Sequence, residues 1–362
     1  MRLVGHLLKL GSRLTSIEVA VAYALPFALN LSDHLGDLFR WNMACQFTLF
    51  LFVVQIPVAI TNRMSYVDIG WPIGLCVLAT NCLLFGEGWI YRRLLIGGCL
   101  LLHGLRMTLG GLKKFYPYVF KEDLSRYQFA RKKWVEIDHL PEKWWPLKMQ
   151  QETLSQGFAN SVVLAIPMIV SASNTTDSLS FVELLGFICW ASSWIMENMA
   201  DLQKRAFIKH CVNAGKTATE EEKAKLKLAV LGYAPFDGDE YWLWSKVCRH
   251  PNYLGEYICW ASFCVFAIPS IFHLHAVVPH EANFLIAVAL CGEVLLLRFF
   301  YDCLVFWTGA APAEFMSVRK RPLYVKYQAK LPVLFPRWLP FASYSTEGWP
   351  YPEHTLIKKK ST

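Results

Sequence analysis

The chain has 362 residues, of which 54% are hydrophobic and only 18% are charged. An ordinary soluble domain carries roughly 25% charged residues, and the apolar residues here form long blocks, so the composition argues against a set of soluble domains. A net charge of +8 is explained by basic residues at a membrane face, and we expect no nucleic-acid partner. The eleven cysteines are scattered without a CxxC pair, which indicates neither a disulfide framework nor a metal site.

The apolar blocks predict an all-α, polytopic integral membrane protein with about eight transmembrane helices. A helix needs about 20 mostly apolar residues to cross the hydrocarbon core, and a helix satisfies its own backbone in lipid. Residues 1–16 are expected to be a cytoplasmic N-terminus. The predicted spans follow in chain order: 17–31, 41–60, 66–85, 94–112, 157–173, 179–199, 253–272 and 283–307.

A polar segment divides these spans into two groups. Residues 17–112 are predicted to form the N-terminal transmembrane helices, and residues 157–340 a C-terminal membrane domain. Between them, residues 113–156 form a cytoplasmic loop rich in aromatic and basic residues, which suits a headgroup interface or a lid over a site. Residues 341–362 are predicted to be a cytoplasmic tail.

Residues 211–240 indicate a short solvated helix within the C-terminal domain. Thr217 and Glu220 have the spacing of a capping box, and Glu221 and Lys225 form an i,i+4 pair. Gly232 is expected to end the helical region.

The distribution of basic residues predicts the orientation. With eight spans, 31 of the 36 Lys and Arg residues fall on one side, which is then the cytoplasmic side, with both termini cytosolic. A glycosylation sequon begins at Asn174, in a loop assigned to the lumen. Lys359 and Lys360 near the C-terminus resemble a dilysine retrieval signal. These patterns predict a multi-pass protein of the endoplasmic reticulum membrane.

The densest polar residues lie where two predicted spans meet the cytosol. Glu197 and Asp201 are four residues apart at the end of the sixth span, and Asn252 and Glu256 have the same spacing at the start of the seventh. Residues four apart share one helix face. Gly255 allows another group to approach the backbone closely.

An Asn and a Glu on one face can bond a planar carboxamide, while basic residues nearby can bind phosphate. Lys204, Arg205 and Arg249 are the basic candidates. This set would suit a nicotinamide dinucleotide. Interfacial capping and snorkelling, which account for most charged helix ends, are the alternative interpretation.

Two segments carry a family resemblance: ADLQK at 200–204 and RHPNYLGE at 249–256. They resemble the steroid 5-alpha-reductase superfamily, and most closely its widespread, mostly uncharacterised branch. Residues 67–72 and 122–134 also resemble this branch. The tail residues that resemble it are Thr308, Gly309, Pro312, Glu314, Arg321, Tyr324, Tyr327 and Pro336.

The resemblance implies a reductase-like domain at 157–340 that binds NADPH from the cytosol. The implied reaction is reduction of an activated carbon–carbon double bond in a lipid-like substrate, such as a steroid, sterol, polyprenol or enoyl-lipid. The cofactor-binding candidates are Asp201, Lys204, Arg249, Asn252, Glu256, Arg321, Tyr324 and Tyr327.

The Gln-Glu pair and the Tyr that the steroid enzymes place near the substrate carbonyl have no evident counterpart here. The catalytic candidates are therefore His103 and Asp68, although a histidine in a helix is more often packed. Two other functions stay open. One is an S-adenosylmethionine-dependent membrane methyltransferase of the isoprenylcysteine or phospholipid type, which shares a similar RHPxYxG stretch. The other is a non-catalytic lipid-binding protein. The sequence does not indicate an oligomeric state.

Overall fold

The computed structural model describes residues 14–118, 122–339, 342–344 and 349. Helices and their connecting turns make up this part of the chain, with no strand in it, so the predicted all-α class is confirmed. The start of the predicted N-terminus and nearly all of the predicted tail, including Lys359 and Lys360, lie outside the described residues.

The helices are numbered in chain order. Their bounds are α1 Ser16–Leu29, α2 Gly36–Thr61, α3 Met64–Phe85, α4 Ile90–Tyr118, α5 Ser125–Glu136, α6 Glu142–Ala172, α7 Phe181–Thr217, α8 Glu220–Lys227, α9 Pro251–Val277, α10 Ala282–Asp302, α11 Ala310–Lys320 and α12 Tyr324–Lys330.

Six stretches of the described chain are long and apolar enough to cross a membrane: α2, α3, α4 up to Lys113, α6, α9 and the stretch Ala282–Lys320. The polytopic membrane protein is therefore confirmed, with six such spans against about eight predicted. The first predicted span corresponds to α1, which has 14 residues and is short of the usual length. The sixth corresponds to the first half of α7, where Glu183 and Glu197 reduce the apolar character.

The fifth span begins earlier than the predicted residue 157. Helix α6 starts at Glu142, so the second part of the predicted cytoplasmic loop is helical. Its polar side chains are satisfied by α2, because Gln150 donates to the Gln55 carbonyl at 3.1 Å and Gln55 donates to Thr153 at 3.0 Å. Because hydrogen bonds to α2 replace hydrogen bonds to water, these polar residues can remain part of helix α6.

The chain divides into two compact units. The N-terminal unit comprises Leu14–Trp190 and Trp260–Phe299, and the C-terminal unit comprises Ala191–Cys259 and Phe300–Thr362, as far as these residues are described. The divisions fall inside α7, α9 and α10, because long helices pass from one unit to the other. They do not coincide with the boundaries at 112/113 and 156/157 that the sequence suggested.

Three connections of the N-terminal unit meet at one end. The His34 ring nitrogen Nε2 lies 3.1 Å from the Ser173 carbonyl, and the Gly88 amide donates to the Ala172 carbonyl at 2.8 Å. All three connections were assigned to the same side of the membrane by the predicted topology. Their contacts agree with that common assignment.

Arg92 holds the connection between α6 and α7. Its side chain is 1% exposed and donates to Glu183 at 2.5 Å. It also donates to the carbonyls of Asn174, Thr176 and Ser178, at 2.9, 2.6 and 2.5 Å. A buried guanidinium is stable only with such partners, so this arginine fixes the path of the loop.

Four carboxamides lie buried between the helices of the N-terminal unit. Asn81 and Gln46 both donate to the Asn42 carbonyl oxygen, at 3.3 and 3.4 Å, and Gln46 also donates to the Gly74 carbonyl at 2.7 Å. Asn160 donates to the Trp71 carbonyl at 2.8 Å. These bonds connect α2, α3 and α6 through neutral groups, which cost less to bury than charges.

Two aspartates dock α5 onto the start of α3. Asp68 accepts hydrogen bonds from Arg126 and, at 2.7 Å, from the Tyr127 hydroxyl. Asp123 accepts from the Ser65 amide at 2.9 Å. The two upstream segments that carry the family resemblance, 67–72 and 122–134, are thus brought into contact.

The solvated helix predicted at 211–240 is present as α8. Its capping box is formed by Thr219 and Glu222, not by Thr217 and Glu220, because the helix starts two residues later than that spacing predicted. The predicted pair of Glu221 and Lys225 is confirmed, with 2.8 Å between the charged atoms.

We predict that Asn174 carries no glycan in the folded protein. Its side chain is 4% exposed, its amide nitrogen donates to the Ser270 hydroxyl at 2.9 Å, and its amide oxygen accepts from the Thr176 amide at 2.9 Å. Wild type and Asn174→Gln should have the same electrophoretic mobility before and after glycosidase treatment. A glycosidase-sensitive shift that is present in wild type and lost in Asn174→Gln would contradict this reading.

Candidate functional site

The site candidates of the C-terminal unit begin at a contact between α7 and α9. Asn252, in the first turn of α9, donates to the Asp201 carboxylate on α7 at 3.4 Å. Both residues are half-buried. The amide oxygen of Asn252 is buried and has no hydrogen-bond partner in the described part of the chain. An acceptor is therefore left available beside a carboxylate.

Gly255 explains how closely the two helices approach. A Cβ atom on Gly255 would lie 2.6 Å from the Glu197 Cβ and 2.9 Å from its Cα, which is too short for any side chain. The group that closely approaches the backbone at Gly255 is thus helix α7. Glu197 and Glu256 are both 5% exposed, so two carboxyl groups are buried near this crossing.

Arg249 is enclosed by the protein. It is 0% exposed, and its Nε donates to Glu314 at 2.8 Å. Its Nη1 donates to the carbonyls of Gln328 and Leu331, at 2.7 and 2.9 Å. Only Nη2 has no partner in the described residues. The sequence suggested a phosphate ligand, and the structure leaves a single nitrogen of this guanidinium for such a role.

Glu314 is the centre of this network. Besides Arg249, it accepts from Gln328 at 2.6 Å and lies 2.7 Å from the His250 Nε2. Because a carboxylate only accepts, Nε2 carries the proton. Burial lowers the pKa of His250, and the hydrogen bond with Glu314 opposes that shift in part. The His250 ring stacks on Tyr253, with centroids 5.0 Å apart.

The tail tyrosines pack against each other and against Val230 and Leu331. The Tyr327 hydroxyl donates to the Trp244 carbonyl at 2.6 Å, and the Trp244 indole donates to the Ala200 carbonyl at 2.9 Å. Tyr327 therefore links α12 to α7 and is 1% exposed. The Tyr324 ring lies 5.4 Å from that of Tyr327, and burial raises the pKa of both tyrosines.

Two basic candidates border the same unit. Lys204 is exposed, with its Nζ 5.6 Å from the centre of the Trp244 ring, within cation–π range. Arg321 follows α11 and is half-buried, and its Nε has no hydrogen-bond partner in the described part of the chain. The eight cofactor candidates thus all belong to the C-terminal unit.

The two catalytic candidates belong to the N-terminal unit. His103 lies on α4 and is 0% exposed. Asp68 lies on α3, where Arg126 and Tyr127 engage its carboxylate. These contacts assign Asp68 a docking role for α5.

Sequence reasoning gave Glu314 no chemical role and did not single out Gln328. Glu314 was noted only as part of the tail resemblance. Its partner Arg249 is 65 residues away, so no local spacing connects the two. A carboxylate next to an apolar stretch was the only signal that the sequence offered.

Comparison with known families gives a match over most of the chain. A family model described as "Protein of unknown function (DUF1295)" matches residues 51–331. The chain belongs to the DUF1295 family. The match extends from Leu51, in the second half of α2, to the residue after α12, and so takes in both helix ends of the candidate site.

Within the curated proteins, an uncharacterized protein of Schizosaccharomyces pombe is 25% identical over 285 residues. These cover 76% of the present chain and 74% of that relative. No solved structure matches this DUF1295 protein.

We predict that breaking the buried network at Glu314 destabilises the protein strongly. Glu314→Leu leaves Arg249 charged and without its carboxylate, which costs about 3–5 kcal/mol for a buried pair. The double variant Arg249→Met with Glu314→Leu removes both charges and should be less destabilised than Glu314→Leu. The measurement is the midpoint of thermal unfolding in detergent.

The control is Glu221→Gln, which removes a carboxylate that is 80% exposed in the same unit. It should leave the midpoint near that of wild type, because exposed ion pairs contribute about 0–1 kcal/mol. A double variant less stable than Glu314→Leu would argue against a charge-based network.

Proposed function

We propose that this protein is a membrane-bound reductase that uses NADPH to reduce an activated carbon–carbon double bond in a lipid-like substrate. The observation that carries the proposal is the contact of Asn252 with Asp201. It leaves a buried amide oxygen without a hydrogen-bond partner among the described residues, on the same helix as the buried Glu256.

The residues present fit a nicotinamide dinucleotide. The Asn252 oxygen can accept from the carboxamide of the nicotinamide, and Glu256, one helical turn further, offers a second acceptor on the same face. Lys204 offers a donor for phosphate oxygens, as does the Arg321 Nε, which has no partner in the part of the chain that the structure describes. NADPH, when bound, would supply the hydride.

The network around Glu314 supports this role by fixing the start of α9. His250 and Arg249 are bonded to Glu314, and Asn252 follows His250 by two residues. A carboxamide that is already held in position loses less conformational entropy when it binds a ligand. Glu314 is therefore a positioning residue in the proposed site.

Reduction of an enone also needs a donor for the carbonyl oxygen, where negative charge develops in the transition state. His103 stays a prediction from the sequence, and Asp68 is not proposed as this donor, since α5 engages its carboxylate. A membrane protein with six apolar spans suits a substrate that dissolves in the bilayer, such as a steroid, sterol, polyprenol or enoyl-lipid.

The prediction that tests the cofactor concerns Glu256. Loss of a hydrogen bond to a charged group costs about 1.5–3 kcal/mol, or roughly ten- to a hundredfold in affinity. Glu256→Gln should weaken NADPH binding by about that factor, and Glu256→Leu by more, since it removes the acceptor. Titration of NADPH into the purified chain measures both.

Glu221→Gln serves as the matched control and should bind NADPH like wild type. Titration of S-adenosylmethionine into the same preparations tests the methyltransferase alternative. If wild type binds only S-adenosylmethionine, or neither compound, the reductase proposal is wrong.

We further propose that the protein resides in the endoplasmic reticulum with both termini in the cytosol, from the charge bias and from Lys359 and Lys360. Replacement of both lysines by Ser should release part of the protein to later compartments, as seen by fluorescence microscopy. A C-terminal tag that resists protease in intact microsomes would contradict the orientation.

A further inference from the structure

Glu293 is a carboxyl group inside a membrane span of the N-terminal unit. It lies on α10, within the apolar stretch Ala282–Lys320, and is 5% exposed. Its Oε1 atom is buried without a hydrogen-bond partner among the described residues, and no ion pair of that part of the chain includes Glu293. Ionisable groups in such positions are rare and usually functional.

The position of Glu293 along α10 is that of the bilayer interior. Glu293 is eleven residues beyond Ala282, the first residue of α10, which places it roughly 16 Å along the helix axis. The hydrocarbon core is about 30 Å thick, so this distance corresponds to the middle of the bilayer. A side chain at this depth cannot extend to water as lysines near span ends do.

The carboxyl group lies beside the lipid-facing surface of α10. Leu290 and Leu297, at positions i−3 and i+4 from Glu293, share its helix face and are partly exposed. On α9, the Cys264 thiol is close enough to interact electrostatically with the carboxyl group. The residues at i−3 and i+4 from Cys264 are also partly exposed. A ligand dissolved in the bilayer can therefore approach Glu293 along the seam between α9 and α10.

The hydrogen-bonding capacity of Glu293 is not met by its neighbours. An unpaired carboxylate is too costly to bury in hydrocarbon, so the group is present as the neutral acid. A neutral carboxyl group has one O–H donor and a carbonyl acceptor. Within the part of the chain that the structure describes, the side chain uses neither. A ligand that satisfies this group must bring both an acceptor and a donor.

We propose that the neutral carboxyl group of Glu293 binds the hydroxyl group of a lipid alcohol dissolved in the bilayer. A hydroxyl can accept from the acid O–H and donate to the other carboxyl oxygen. An ether oxygen only accepts, so it satisfies half of the group. An ammonium would form an ion pair in hydrocarbon, where the desolvation of both charges opposes binding. The proposal does not depend on the proposed reductase activity.

The first test uses the purified full chain in detergent and dicyclohexylcarbodiimide, a hydrophobic reagent that attaches to protonated carboxyl groups. Peptide mass spectrometry measures the rate at which Glu293 is labelled. Hexadecanol at about ten times its dissociation constant should slow this labelling about tenfold. Hexadecyl methyl ether and hexadecylamine at the same concentration should change the rate by less than about twofold. Equal slowing by all three compounds, or no labelling in their absence, would contradict the proposal.

Variants separate binding from structure, with binding measured by native mass spectrometry. Glu293→Leu should bind hexadecanol about tenfold more weakly, because each lost hydrogen bond reduces affinity by about two- to tenfold. Glu293→Gln keeps a donor and an acceptor, and should bind within about threefold of wild type. Glu281→Gln, which changes an exposed carboxylate just before α10, is the matched control and should bind like wild type.

Thermal unfolding shows whether the carboxyl group has a structural role instead. Glu293→Leu should keep or raise the unfolding midpoint, because it removes a buried polar group that the protein does not satisfy. A fall of more than about 5 °C would assign the carboxyl group to packing and overturn the proposal. Unchanged hexadecanol binding in Glu293→Leu, or an equal loss in Glu281→Gln, would overturn it as well. Tighter binding of hexadecylamine than of hexadecanol would make the ligand an amine and not an alcohol.

Discussion

A carboxylate that has lost contact with water is stable only where protein donors replace that water, and Glu314 satisfies this condition in the C-terminal unit. Arg249, His250 and Gln328 all contact it, at 2.6 to 2.8 Å. Because these partners belong to the start of α9 and to α12, one buried charge fixes three helices. The candidate cofactor residue Asn252 depends on that junction for its position.

The need to satisfy buried polar groups also orders the N-terminal unit, and different groups meet it at each end and in the middle. Arg92 is closed off by one carboxylate and three carbonyls at the end where the loops meet. Asp68 and Asp123 bind α5 at the other end. Between them the buried polar groups at α2, α3 and α6 are neutral amides. The charges of Arg92, Asp68 and Asp123 thus lie near the span ends, where water is closer.

The features that sequence predicted well are those set by local composition. Apolar block length predicted the helical membrane fold, and an i,i+4 spacing predicted the pair of Glu221 and Lys225. Contacts between distant segments were not predictable. The enclosure of Arg249 depends on a partner 65 residues away. Asn174 appeared accessible because a sequon says nothing about Ser270, which is 96 residues further along. Helix α6 began early because α2 satisfies its polar side chains.

The separation of Arg249 from Glu314 has a consequence during synthesis. A ribosome adds about 5–20 residues per second, so the 65 residues between them take roughly 3–13 seconds. Gln328 emerges later still. For that interval the guanidinium has no carboxylate and must remain in water or at the headgroup surface. The start of α9 therefore reaches its final position only after α11 has been made.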